Sequence, residues 1–210
     1  MTPQSPVDIP AYDLQPVPPA ALRNRAIIAE TLSQLLPKTG TVLEIGSGSG
    51  AHAIYLANHL PDLTFQPTER SQEQLPHIET WIKQAKLTNI MPPLKLDLLD
   101  REWPIKSADA LISINVIHIA PWAATRALIS QAGKTLKRNA PLFFYGPFFQ
   151  SDVETAPSNI AFDQSLRAGN PERGIRHLGD ITTHAHEAGF NGPHIIKMPA
   201  NNLSVVFTKV

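Results

Sequence analysis

Nine residues near the middle of the chain, Ala108 to Val116 (ADALISINV), are almost all apolar. A strand that alternates apolar and polar residues can leave one face in water. A run this uniform must be covered on both faces, as in the interior of a parallel sheet. Parallel neighbours require long crossover connections, which are usually helical. The rest of the chain supplies them. Leu22, Ala26, Ala29, Leu32 and Leu36 recur at helical spacing, and Pro37 and Gly40 stop that helix. Short apolar runs at Thr41–Ile45, Leu63–Gln66, Leu94–Asp97 and Pro141–Tyr145 read as strands. Helical segments are expected from about Gly50 to Leu60, from Ser71 to Lys86 with Pro76 as a kink or a restart, and from Trp122 to Lys137. This alternation predicts an α/β, Rossmann-like, doubly wound sheet.

The C-terminal part breaks the alternation. After a helix near Asp180–Ala188, strands at His194–Met198 and Ser204–Lys209 are separated only by Pro199–Asn202. So short a link makes an antiparallel hairpin. The expected sheet is therefore seven-stranded, mostly parallel, and finished by an antiparallel C-terminal hairpin. Residues 1–19 hold six of the 20 prolines and no apolar period, and read as a Pro-rich arm before a single domain over 20–210. Residues 146–176 are too long for an ordinary connection and are expected to form a lid-like insertion. Ser158 is expected to cap a short helix there, running through Ala168, with Asp163 and Arg167 facing each other four residues apart.

Composition narrows the function classes. The 18 basic and 18 acidic residues balance, which argues against a nucleic-acid binder. There are no cysteines, so disulfides, zinc–thiolate sites and cysteine nucleophiles are excluded. The histidines show no metal-ligand spacing, and no metal is expected. With no secretory signal and no apolar run near the roughly 20 residues of a membrane helix, a cytoplasmic protein without a membrane partner is expected.

The chemistry is concentrated in Val42–Ala51 (VLEIGSGSGA), a buried strand running into a glycine-rich turn and a helix. Gly46, Gly48 and Gly50 allow a nucleotide-like ligand to lie against the backbone, and the helix start offers free N–H groups. Glu44 comes two residues before the first glycine, too early to pack and too near the turn for a phosphate loop. A carboxylate there suits a cationic or hydroxyl-bearing ligand and favours S-adenosylmethionine. The same string, with Glu69 about 20 residues on, also satisfies a dinucleotide fingerprint. An NAD-type oxidoreductase and a non-catalytic cofactor-binding scaffold are therefore the alternatives.

The segments RNRAIIAETL, VLEIGSGSGAHAIYLA, LPDLTFQPTE, PPLKLDLLDREWP, INVIHIAPW, YGPF, TAPSNIAFDQSLRAGNPERGIR and MPANNLSVVF carry a resemblance that spans nearly everything after residue 20. The chain resembles class I S-adenosylmethionine-dependent methyltransferases, and more closely the methyltransferase-like protein 26 family, a domain of unknown function. The resemblance implies S-adenosylmethionine as cofactor and a small-molecule methyl acceptor. It implies that Glu44, Gly46, Gly48 and Gly50 meet the amino-acid end and sulfonium. Glu69, where an aspartate is commoner, would hold the ribose, and Asp97 with Leu98 would flank the adenine. Ser113 to Val116, with Ser113 and Asn115 counted among the cofactor residues, would pass beneath it. His118 is a candidate general base, since histidine titrates near neutrality, or else a structural histidine. Arg23, Asn24, Tyr145, Asn159, Asp163 and Arg167 are candidate substrate residues, and Arg176 is weighed with them as a reader of a carboxylate or phosphate. The bland reading of the insertion residues is a set of caps and salt bridges.

Overall fold

The computed structural model describes residues 17–210. The described residues form two compact units, 17–96 and 97–210. The first contains helix α1 (Pro19–Leu35), strand β1 (Gly40–Ile45), helix α2 (Ala51–His59), strand β2 (Leu63–Glu69), helix α3 (Leu75–Ala85) and strand β3 (Leu94–Lys95). The Pro-rich arm lies outside the described residues through residue 16, and its last proline, Pro19, is already the first residue of α1. A proline is tolerated there because the first N–H groups of a helix have no intrahelical partner. The same reason decides between the two expectations for Pro76, which restarts the helix and does not kink it. The third helix starts at Leu75 instead of Ser71, which puts Pro76 in its first turn. β1 and β2 pair in parallel from Gly40 opposite Leu63 to Glu44 opposite Pro67. β2 runs three residues past its expected end, so Glu69 is its last residue and lies opposite Lys95 of β3.

The second unit holds β4 (Ala110–Ile114), α4 (Trp122–Thr135), β5 (Pro141–Gly146), β6 (Phe148–Phe149), α5 (Pro157–Gly169), β7 (Arg176–His177), α6 (Leu178–Glu187), β8 (Phe190–Met198) and β9 (Asn202–Lys209). Every residue of β4 and β5 is buried, as the uniform apolar runs require. β4 is shorter than expected at both ends, and at its C-terminal end it stops because Asn115 turns into the left-handed region at φ 58°. Asparagine enters that region more readily than most residues. β4 pairs with β5 in parallel, while β9 runs antiparallel to both β5 and β8. Seven strands form one sheet in the order β3-β2-β1-β4-β5-β9-β8, the mostly parallel α/β architecture with its C-terminal antiparallel hairpin.

The hairpin turn places Ala200 and Asn201 at φ 55° and 57°, the two positive values a type I′ turn demands. β8 is the exposed outer strand, with a register irregularity between Asn191 and His194 and with Pro193 and Lys197 along it. Irregularity, proline and charge all discourage another strand from pairing there.

The insertion is more structured than a loop with one helix. β6 and β7 pair in parallel, Phe148 opposite Arg176, and so close the insertion at its base. Ser158 is not the cap of α5. That helix begins at Pro157, and its N-cap residue is Ala156, with no side-chain cap. Asn159 is the one buried residue of α5. Among the described residues, no helix is long and apolar enough to cross a membrane.

Candidate functional site

In the first unit the site is built where β1 ends. Gly46, Gly48 and Gly50 all have positive φ, but they serve different ends. A Cβ on Gly48 would meet nothing within 4 Å, so that glycine borders open space. A Cβ on Gly50 would lie 3.1 Å from Ile78 of α3, so that glycine lets helix and turn approach.

Around the turn two carboxylates are held by the backbone and by each other's neighbours. Glu44 is only 2% exposed, which corrects the expectation that it does not pack. Its Oε2 accepts from Ser47 Oγ at 2.5 Å, and Thr68 Oγ1 donates to its backbone oxygen at 2.7 Å. Ser47 is stitched to β2 as well, since its N–H donates to Thr68 O at 2.8 Å and its Oγ accepts from Thr68 N at 3.2 Å. Burial pushes the Glu44 carboxyl up to about 7; the Ser47 hydrogen bond works against this, and the Glu69 carboxylate adds to it. Glu69 Oε2 accepts from Gly48 N at 2.9 Å, while its Oε1 accepts from Arg70 N at 2.8 Å and Ser71 N at 3.1 Å.

A phosphate at this turn would meet two carboxyl groups beside the N–H groups that otherwise attract it. A cation with hydroxyl donors would be met by acceptors on both sides. Ser47 and Thr68 were not singled out from sequence. The signal for Ser47 is its place three residues after Glu44 inside the turn, whereas Thr68 is brought there only by strand pairing.

Asn24, proposed from sequence for a ligand, has its Oδ1 committed to His52 Nε2 at 2.8 Å, tying α1 to the first turn of α2. Burial lowers His52 to about 4, helped by Arg25, so the ring is neutral at neutral pH. Arg23 stands exposed on α1.

In the second unit Asp97 shapes its own loop: its Oδ1 accepts from Leu99 N at 3.0 Å, and its N–H donates to Asp100 Oδ2 at 3.3 Å. Leu98 beside it is buried. Ser113 is buried on β4, and its Oγ has no hydrogen-bond partner among the described residues.

Asn115, Gly146 and His118 converge past the ends of β4 and β5. A Cβ on Gly146 would lie 3.3 Å from His118 Nδ1 and 3.5 Å from Asn115 Oδ1. His118 is 3% exposed, and its Nδ1 is buried with no partner among the described residues. Burial lowers it to about 4, with Arg176 adding to the effect, so the imidazole is neutral. Phe162 of α5 meets that ring edge-on at 5.5 Å between centroids. Gly146 and Phe162 were not foreseen as part of this cluster; both arrive by tertiary packing.

The remaining insertion residues are engaged within the fold. Arg176 donates from Nε to Ile117 O at 3.0 Å, and from Nη2 to Ala120 O at 2.6 Å and Glu172 O at 2.9 Å. Asp163 accepts from Arg167 Nε at 2.8 Å, as the four-residue spacing predicts, and from Ile175 N at 2.7 Å. Asn159 donates to Asn201 O at 3.0 Å, and Tyr145 Oη accepts from Asn202 Nδ2 at 3.3 Å. Asn159 and Tyr145 are thus both tied to the hairpin turn, while Asp163 and Arg167 brace the return of the insertion. Among the described residues, no group of three or more histidine or acidic side chains could hold a metal ion.

Similar folds are found among solved structures. The apo S-adenosylmethionine-dependent methyltransferase SibL matches with a TM-score of 0.75 at 18% identity, over 90% of this chain and 55% of that one. An O-methyltransferase family protein from Burkholderia thailandensis matches with a TM-score of 0.76 at 16% identity, over 90% and 57%. CalO1, a methyltransferase in calicheamicin biosynthesis solved in its SAH-bound form, matches with a TM-score of 0.73 at 14% identity, over 91% and 54%. At such identities the likeness is one of fold, and this chain spans a little over half the length of each. A family profile described as "Protein of unknown function (DUF938)" matches residues 15–209, nearly the whole sequence, and the chain belongs to that family.

Proposed function

We propose that the protein is an S-adenosylmethionine-dependent methyltransferase acting on an oxygen or nitrogen of a small molecule. The observation that carries this reading is the turn after β1. Gly48 borders open space there, with the buried carboxyl of Glu44 beneath and the carboxylate of Glu69 bonded to its N–H. That donor set fits a cationic, hydroxyl-bearing cofactor and opposes a phosphate. When bound, S-adenosylmethionine supplies an electrophilic methyl group on its sulfonium.

The residues proposed to hold it are Glu44, Gly46, Gly48, Gly50 and Glu69. The family resemblance adds Asp97, Leu98, Ser113 and Asn115. His118, kept neutral by burial, can accept a hydrogen bond from the acceptor and take its proton. Positioning the acceptor and excluding water supply much of such a rate enhancement. We read residues 20–210 as one catalytic domain in the cytoplasm, with 146–176 as its lid, and its closer kinship as that of methyltransferase-like protein 26. Arg23, Asn24, Tyr145, Asn159, Asp163 and Arg167 are proposed as residues that shape the acceptor's surroundings, largely through the contacts described above.

Calorimetric titration with S-adenosylhomocysteine and with NADH tests the reading. Saturable binding of the former alone is expected. Binding of NADH with no response to S-adenosylhomocysteine would replace the methyltransferase with a dinucleotide enzyme. Binding of S-adenosylhomocysteine without methyl transfer to any acceptor in a metabolite extract would favour a scaffold.

A further inference from the structure

The second unit contains a cavity of about 220 Å³ lined by the 148–156 segment, α5 and the β8–β9 turn. Its volume is below the roughly 300–1,000 Å³ of drug-sized ligand pockets, so an occupant must be small. Phe148, Met198 and Leu203 are buried and give it an apolar lining.

Two carboxamides give it a one-sided polarity. Asn159 Nδ2 donates to Asn201 O at 3.0 Å, and Asn202 Nδ2 donates to Pro199 O at 3.2 Å. Because a backbone carbonyl can only accept, both amide groups have a fixed orientation. Asn201 Nδ2 donates to Ser158 Oγ at 3.1 Å. Asn159 and Asn202 therefore direct an N–H donor into the protein and keep their Oδ1 atoms free of hydrogen bonds from the described residues, whereas the Ser158 hydroxyl, which can donate or accept, suits either orientation of Asn201. Asn159 is 8% exposed, yet its Oδ1 keeps some accessible surface, so a donor can reach it.

Two charges complete the lining. Glu154 comes from the segment before α5 and Lys197 from β8, and neither forms an ion pair with a described residue. A ligand anion alone would face Glu154 and the carbonyl oxygens of Asn159 and Asn202. A cation alone would face Lys197.

We propose that this cavity is a binding site for a small zwitterion of the α-amino-acid type. Its ammonium donates to the asparagine oxygens and Glu154, its carboxylate pairs with Lys197, and its apolar side chain lies on Phe148, Met198 and Leu203. The site shares Asn159 and part of the 146–176 insertion with the proposed acceptor surroundings, but its ligand does not depend on the methyl-transfer chemistry.

The test is calorimetry on the full chain with valine, leucine, methionine and phenylalanine, in the presence of saturating S-adenosylhomocysteine. Isopentylamine, which lacks the carboxylate, and 4-methylpentanoate, which lacks the ammonium, are the controls. At least one amino acid should bind, with leucine at least about tenfold tighter than either of its analogues. Both charged side chains are exposed, so Glu154→Gln and Lys197→Met should fold normally. Glu154→Gln should weaken leucine several-fold, and Lys197→Met should bring leucine and isopentylamine to similar affinities. No binding by any of the four amino acids, or equal binding in both variants and wild type, overturns the proposal. Amino-acid binding in a protein that ignores S-adenosylhomocysteine would uphold this site and remove the methyltransferase reading.

Discussion

Replacing Glu44 by glutamine should stabilise the protein, and only above a definite pH. Its carboxyl is 2% exposed and is raised from 4.5 to about 7. In the unfolded chain the same group titrates near its ordinary value. Below pH 4.5 it is protonated in both states and carries no penalty. Between 4.5 and 7 the folded state holds a proton that the unfolded state has lost, so stability falls as pH rises. Above 7 the buried group is ionised in both states. The gap of about 2.5 pH units, at about 1.4 kcal/mol each, makes the full penalty on the order of 3 kcal/mol. Glutamine imitates the protonated acid and can still accept from Ser47 Oγ. Urea unfolding of wild type and Glu44→Gln at half-unit steps from pH 4 to 8.5 should show a difference that opens from about pH 4.5 and levels off past 7. Taking the difference cancels the other titrating groups, including His52 and His118. A difference that stays flat across this range would refute the placement of a buried, strained carboxyl beneath the turn.

The same carboxyl offers a ligand test. A cationic cofactor should lower it again, so S-adenosylmethionine binding at pH 6 should release up to about one proton, seen as a dependence of binding enthalpy on buffer; an anionic dinucleotide should release none. Gly48→Val should abolish S-adenosylhomocysteine binding while the protein remains folded by circular dichroism, at a cost of about 1–3 kcal/mol for a side chain at φ 57°. Gly50→Ala carries a similar backbone cost at φ 80° and in addition forces its Cβ on Ile78, so its melting temperature should fall below that of Gly48→Val. Arg176→Lys cannot reproduce bonds to Ile117, Ala120 and Glu172 oxygens, and chemical denaturation should show a loss of about 2–4 kcal/mol. If His118 is the base, the acid limb of kcat/KM should fall near pH 4 rather than near 6.5, and an inflection at 6.5 would exclude it.

Most of the sheet was readable because its strands are uniform apolar runs and its connections have a helical period, both local signals. The four-residue spacing of Asp163 and Arg167 predicted their ion pair for the same reason. What escaped was non-local. β6 and β7 are two residues each and lie 26 residues apart, so neither has a period to detect. β2 extends to Glu69 because β3 pairs with its last residues, and Leu96, just past β3, donates its N–H to Glu69 O at 3.0 Å.

The glycine turn shows why composition identifies such a site before it can apportion it. Gly48 and Gly50 are alike in sequence, two residues apart, each followed by a small residue, and each with positive φ. What separates them is Ile78, nearly thirty residues later, which fills the space beside one and not the other. Glu44 and Glu69 differ in the same manner. One is enclosed by its strand neighbours and raised in pKa; the other is drawn by Gly48 N and two further N–H groups onto the turn. An acidic residue before a glycine turn is thus an incomplete signal, because its charge at neutral pH depends on what covers it. Covered in this way, Glu44 is partly protonated at neutral pH in the free protein, and a cation is the ligand that gains most by ionising it.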